Sequence, residues 1–211
     1  MAKPFFVANY IAKRPVPEQK TMKQTEIELQ TKVENVEPLR SLLEQKGEFK
    51  YETQQIDIYF TPAHRDFLAK NPIEEWLRLR DANGNCSLNY KKWHFDADGR
   101  GLYADEFETK IENLEAATKA FASLDIKPVV TVEKNRKVWM FEDYEICLDT
   151  VKGLGNFVEL EYYGKRDTAD HKEITAEMVQ FLKKLGCGRL EINHVGYPAL
   201  ILGQVGIIDI L

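Results

Sequence analysis

One pattern recurs along this chain and restricts its fold more than any other: strand-like stretches in which every second residue is charged or polar. TEIELQTKV, from Thr25 to Val33, sets Glu26, Glu28, Gln30 and Lys32 on one face and Ile27, Leu29, Thr31 and Val33 on the other, because side chains alternate across a strand. WLRLRD repeats the pattern with Arg78 and Arg80, SLNYKKW with Asn89 and Lys91, and EFETK with Glu106, Glu108 and Lys110. VEKNRKVW repeats it with Lys134 and Arg136, ICLDTV with Asp149 beside Cys147, and FVELEYY with Glu159 and Glu161. Carboxylates are paired on some strands and basic residues on others. Two architectures accommodate this sorting. A flat sheet would show one charge-laced face to water. A closed sheet would turn the charged faces inward, which is very costly if the interior is dry. A wet interior would instead suit a polyanion and hard metal ions, with basic residues on phosphates and paired carboxylates on Mg2+ or Mn2+.

The connecting sequence orders these stretches. NVEPLRSLLEQKG has Val36, Leu39, Leu42 and Leu43 at helical spacing and Gly47 to end it. YETQQIDIYF reads as a strand with Ile56 and Ile58 on one face. ANGN is a turn joining EEWLRLRD to CSLNYKKWHF. NLEAATKAFASLD is a second helix, and Glu142 and Asp143 turn VVTVEKNRKVWMF into YEICLDTV. GLG, Gly153 to Gly155, is a hairpin turn, since neither Lys-Ser/Thr nor a helix follows it as in a phosphate loop. TAEMVQFLKKLG is a third helix stopped by Gly186, and the apolar tail INHVGYPALIL packs back on the body. About eight hairpin-linked strands and three helices predict a mainly β, α+β fold with an antiparallel sheet.

Composition narrows the function. With 29 basic and 34 acidic residues the formal charge is −5, which disfavours a surface that coats nucleic acid but not a local basic pocket. Cys86, Cys147 and Cys187 lack CxxC spacing; they predict neither a disulfide framework nor a zinc site, and they suit a reducing cytoplasm. His64, His94, His171 and His194 have no spacing that suggests a metal site. No apolar run approaches the ~20 residues of a membrane span, and the N-terminus lacks the features of a secretory signal.

EIELQTK, LRLR, NYKKW, EFETK, VEKNRKVW and CLDTVKGLGNFVELE, in that order, resemble the motifs of the CYTH superfamily, the triphosphate tunnel metalloenzymes. DIYF, TVEKNRKVW and CLDTVKGLGNFVELE bring the chain nearest to the class IV adenylyl cyclase-like group. The resemblance runs from Glu26 to the C-terminus. It implies a tunnel domain over residues 25–211 and an N-terminal extension over 1–24 that is poorly ordered or peripheral. The fold it implies is an eight-stranded antiparallel β-barrel open at both ends, with flanking helices.

The resemblance also implies a nucleotide or inorganic triphosphate as substrate, with Mg2+ or Mn2+. Glu26, Glu28 and Lys32 would be catalytic. Arg78, Arg80, Lys91, Lys134 and Arg136 would contact phosphates. Glu159, Glu161, Asp149, Glu106 and Glu108 would hold metal or organise the basic residues. Adenylyl cyclase, making cyclic AMP and pyrophosphate, is the first expectation. Triphosphate hydrolysis and non-catalytic triphosphate or polyphosphate binding are the alternatives. Nucleic-acid and membrane partners are not expected, and homodimerisation is left open. One position departs from the family signature ExExK: Gln30 stands at the lysine. Glutamine cannot carry that charge, so Lys32, further along the same face, is the stand-in, and Gln30→Lys is expected to raise turnover. Tyr59 is either a proton-transfer group or a core or rim aromatic.

Overall fold

The computed structural model describes residues 27–95, 101–164 and 171–209. Glu26 and the expected extension over residues 1–24 lie outside them. The elements run β1 (Glu28–Val33), α1 (Glu37–Lys46), β2 (Glu48–Pro62), β3 (Glu75–Ala82), β4 (Asn85–Phe95), β5 (Gly101–Ile111), α2 (Leu114–Ser123), β6 (Ile126–Phe141), β7 (Tyr144–Val151), β8 (Gly155–Tyr162), α3 (His171–Leu185), β9 (Leu190–Ile192) and α4 (Gly196–Gln204). All the ladders are antiparallel, in the order β5-β4-β3-β2-β6-β7-β8-β1-β9. The expected mainly β fold with flanking helices is present. It differs in detail: β9 adds a ninth short strand, α4 a fourth helix, and the ladder between β5 and β9 is not closed by hydrogen bonds among the described residues. The sheet nonetheless curls. Lys91 on β4 lowers the pKa of Glu28 on β1, although six ladder steps separate the two strands.

Local chemistry sets the turns. Asn83 and Gly84 both have positive φ (51° and 85°), as the two-residue hairpin between β3 and β4 requires. Gly186, at φ 82°, ends α3: its N–H donates to the Lys183 carbonyl, and the Cys187 N–H reaches the Leu182 carbonyl.

The two faces of the sheet have different neighbours. The outer faces of β1, β7 and β8 supply Leu29, Val33, Ile146, Val158 and Leu160. These pack against Leu39 and Leu43 of α1 and Ile174, Met178 and Leu182 of α3. Full burial of such side chains contributes about 1.5–3 kcal/mol each. The opposite, concave face has an apolar cluster at one end, where Tyr59, Trp76, Val132, Val151 and Phe157 meet Tyr197, Ala199 and Leu202 of α4, and the buried pair Val138 and Cys147 beyond its charged middle. The apolar tail therefore packs on the body, as expected, and covers that end of the concave face rather than leaving both ends open. The pattern in β2 is the reverse of an apolar Ile56/Ile58 face. Ile56 is 45% exposed, whereas Thr53, Gln55, Asp57 and Tyr59 are buried on the concave side.

Candidate active site

Strand parity delivers the charged residues to one surface. Lys134 and Arg136 follow Val132 on β6, Asp149 precedes Val151 on β7, and Glu159 and Glu161 follow Phe157 on β8. Arg78 and Arg80 follow Trp76 on β3. Register then sets neighbours: Arg136 lies opposite Asp149, Glu28 opposite Glu161, Gln30 opposite Glu159, and Asp57 opposite Arg80.

Three ionic groups result. In the first, Arg136 Nε and Nη2 donate to Asp149 at 2.7 and 2.6 Å, and Nη1 and Nη2 donate to Glu159 at 2.9 Å each. Lys134 reaches Asp149 Oδ2 at 3.4 Å and lies 5.0 Å from the centre of the Tyr197 ring. In the second, Arg80 holds Asp57 with two bonds of 2.6 and 2.7 Å, and Arg78 stands 3.9 Å from the same carboxylate. In the third, Glu106 accepts from Lys91 at 2.8 Å and from Asn89 at 2.6 Å.

These contacts shift the proton equilibria in both directions. Burial alone would raise the pKa of Asp57, Asp149, Glu159 and Glu106. Their basic partners outweigh it, and all four are lowered. Burial and the neighbouring Arg136 charge lower Lys134. Arg136 is raised despite its burial, because Glu159 and Asp149 favour its charge. Glu28 goes the other way from the other carboxylates: its surface is open to solvent, but the protein crowded around its carboxylate and the Glu159 charge push it from 4.5 up to about 7, with Glu161 adding to the effect and Lys91 and Arg136 opposing it.

The residues expected from sequence sort as follows. Arg78, Arg80, Lys134, Arg136, Asp149, Glu159, Lys91 and Glu106 come together in the three groups. Glu28 and Glu161 face each other across β1 and β8. Glu108 is exposed on the edge strand β5. Lys32 is exposed at the level of Phe157, towards the α4 end, with its Cε beside Gly155. The side chain of Gln30, at the signature position, donates to Glu159 Oε2 at 2.8 Å.

Sequence reading missed Asp57, Gln55, Asn193 and Tyr197. The signal for Asp57 and Gln55 was present, a period-two polar set Thr53-Gln55-Asp57-Tyr59, but Ile56 and Ile58 obscured it. Tyr197 donates its hydroxyl to Asp149 Oδ2 at 2.8 Å from an apolar tail with no periodic signal. Tyr59 is a buried core aromatic, edge-on to Trp76.

A concave face lined by arginines, lysines and paired carboxylates carries the charge pattern that the family resemblance implied, and the family's own model matches the chain: the CYTH domain covers residues 24–194. The chain belongs to the CYTH family. A Methanocaldococcus jannaschii protein provisionally named an adenylate cyclase is 33% identical to this CYTH chain over 177 residues, 83% of this chain and 97% of that one. A Pyrococcus horikoshii protein of solved structure is 28% identical, covers 85% of this chain and 99% of its own, and has a TM-score of 0.64. A Hippeastrum protein provisionally named an adenylyl cyclase is described as having a dominant triphosphatase activity. It is 18% identical, covers 87% and 97% of the two chains, and shares the fold at a TM-score of 0.57.

The carboxylates of the CYTH site offer oxygen donors, which fit a hard divalent cation, while the buried Cys147 thiol beside them is held protonated, its pKa raised by burial. Among the described residues no three His, Cys, Asp or Glu side chains stand close enough to form a ready coordination shell. The acidic stress is instead recorded at Glu28. A cation beside Glu28, Glu159 and Glu161 would draw the proton off Glu28. The affinity for Mg2+ or Mn2+ is therefore expected to rise with pH and level off above about 7, with roughly half a proton released on binding at pH 7. The sign for stability follows. The folded pKa is above the unfolded value, so the stabilising contribution of protonated Glu28 is complete below 4.5 and is lost as pH rises through about 7. Calorimetric titration in two buffers of different ionisation enthalpy measures the proton release; a value of zero at pH 7 rules out this role for Glu28.

Proposed function

We propose that this chain is a metal-dependent enzyme acting on a triphosphate held on the concave face, and first an adenylyl cyclase that converts ATP to cyclic AMP and pyrophosphate. The supporting observation is Arg78. Its Nε is buried without a hydrogen-bond partner, and its side chain is only 15% exposed. A buried charged donor left unsatisfied is costly, and a phosphate oxygen satisfies it. Arg80, Lys91, Lys134 and Arg136 surround the triphosphate, with Asp57, Glu106 and Asp149 holding them in orientation. Such pre-organised donors stabilise charge that develops on phosphoryl oxygens during transfer.

Glu159 and Glu161 would hold the Mg2+ or Mn2+, which when bound would supply Lewis-acid polarisation of the phosphoryl oxygens. Glu28, titrating near neutrality, accepts and releases a proton beside them, with Glu26 two residues before it on the same strand pattern. Three thiols without a disulfide suit the cytoplasm, and no described helix is long and apolar enough to cross a membrane.

Hydrolysis of the terminal phosphoryl group is the second reading, because the Hippeastrum protein of the same fold is described as a dominant triphosphatase. Fold does not select which phosphorus is attacked. Incubation with ATP, and separately with inorganic triphosphate, in the presence of Mg2+ or Mn2+ separates the two. Cyclic AMP with pyrophosphate supports the first reading; orthophosphate supports the second.

Arg78→Ala should weaken triphosphate binding by about 1.5–3 kcal/mol, roughly tenfold to more than a hundredfold. Its melting temperature should stay close to that of the wild type, since Asp57 keeps both bonds to Arg80. Unchanged affinity in the folded variant removes Arg78 from the site.

A further inference from the structure

The segment that follows β9 is joined to both carboxylates that hold Arg136. Gln30 uses its amide at two ends: Nε2 donates to Glu159 Oε2 at 2.8 Å, and Oε1 accepts from Asn193 Nδ2. The Asn193 main-chain N–H donates to the Gln30 carbonyl at 2.8 Å. Asn193 Oδ1 in turn accepts the N–H groups of Val195 and Gly196, each at 3.1 Å, where α4 begins. The next residue, Tyr197, bonds Asp149 Oδ2 at 2.8 Å. Arg136 closes the circuit on Asp149 and Glu159. The ring therefore runs Glu159, Gln30, Asn193, the start of α4, Tyr197, Asp149 and Arg136.

A carboxylate held on one side only can rotate and carry its partner with it. Here Glu159 is held by Gln30 as well as by Arg136, and Asp149 by Tyr197 and Lys134 as well as by Arg136. The guanidinium plane is thereby set from outside the strand that carries it. A lysine at position 30 would offer no acceptor to Asn193 and would bring another cation towards Arg136.

We infer that Asn193 and Tyr197 are positioning residues of the triphosphate site. They act through Gln30–Glu159 and through Asp149 to orient Arg136, and Gln30 is a bridge rather than a weakened phosphate contact. The inference rests on the triphosphate reading above for its functional consequence, but not for its geometry.

Two measurements on the full chain test it. The first is calorimetric titration with inorganic triphosphate. Tyr197→Phe and Asn193→Ala should each weaken binding about fivefold to tenfold. The double variant should be little worse than the poorer single, because a ring already opened loses little when opened again. Multiplying losses overturn the ring, and so does tighter binding by Gln30→Lys. The second measurement needs no ligand: proton exchange at the Arg136 Nε–H, followed by NMR. It should be slow in the wild type and clearly faster in both single variants, at melting temperatures within a few degrees of the wild type. An unchanged Arg136 signal in both overturns the proposal. If the wild type fails to bind triphosphate, the functional reading falls, while the Arg136 signal still decides the ring.

Discussion

Arg136→Ala is expected to destabilise the protein by about 3–5 kcal/mol, because it leaves partners of a buried ion pair without their charge. The Asp149 side chain is fully buried and Glu159 is 17% exposed, and Arg136 donates two hydrogen bonds to each. Lys134 alone, at 3.4 Å from Asp149, cannot replace a bidentate fork. In a chain of 211 residues a loss of this size corresponds to a fall in melting temperature of roughly 6–20 °C. Arg136→Lys should recover little, since an ammonium lacks the planar geometry that meets two carboxylates at once.

The pH dependence has a fixed sign. Asp149 is held below its ordinary value of 3.8, so the stability it contributes is in place above about pH 4 and is lost as pH falls through the folded pKa. In Arg136→Ala the acid transition should therefore move to higher pH. Thermal melts of both proteins between pH 3 and 8 check both statements. A variant that melts with the wild type would mean that Arg136 does not carry the load assigned to it. Arg136 is accordingly the wrong residue with which to isolate phosphate binding; Arg78, whose Nε has no partner, is the right one.

The double variant Glu159→Gln, Glu161→Gln should lose turnover in Mg2+ or Mn2+ by about a hundredfold or more, since a catalytic cation supplies several kcal/mol of charge stabilisation. Glutamine keeps the size of each side chain but gives up the anionic oxygens that a hard cation needs. The two positions should then differ in stability. Glu159→Gln weakens two bonds from Arg136 and should lower the melting temperature. Glu161→Gln relieves repulsion on Glu28, so its Glu28 should titrate below about 7. Single and double variants assayed across metal concentration, with Glu28 followed by NMR, resolve these effects. Full turnover in the double variant would exclude these two carboxylates from the metal site.

Much of this molecule follows from local sequence. Alternation in ELQTKV, LRLR, EKNRK and VELE places charge on one face of a strand whatever the strand later meets, because the period of two belongs to the backbone itself. Asn83-Gly84 and Gly186 demand particular φ values, so the hairpin between β3 and β4 and the end of α3 were legible from single residues. The motif order was sufficient for the family. Where apolar residues stood on the solvent side, as at Ile56, the same rule misled, because period two says which residues share a face but not which face is buried.

The partners of the charges were settled only by tertiary structure. Asp57 meets Arg80 across 23 positions, Tyr197 meets Asp149 across 48, and Asn193 meets Gln30 across 163. No local period encodes such distances; they depend on the order in which the strands assemble and on the curl of the sheet. Gln30 shows the difference most clearly. Read along the chain it is a signature lysine that has lost its charge. In the folded protein it is an amide whose donor and acceptor are both in use, one on the strand opposite and the other on a tail that sequence alone described only as apolar.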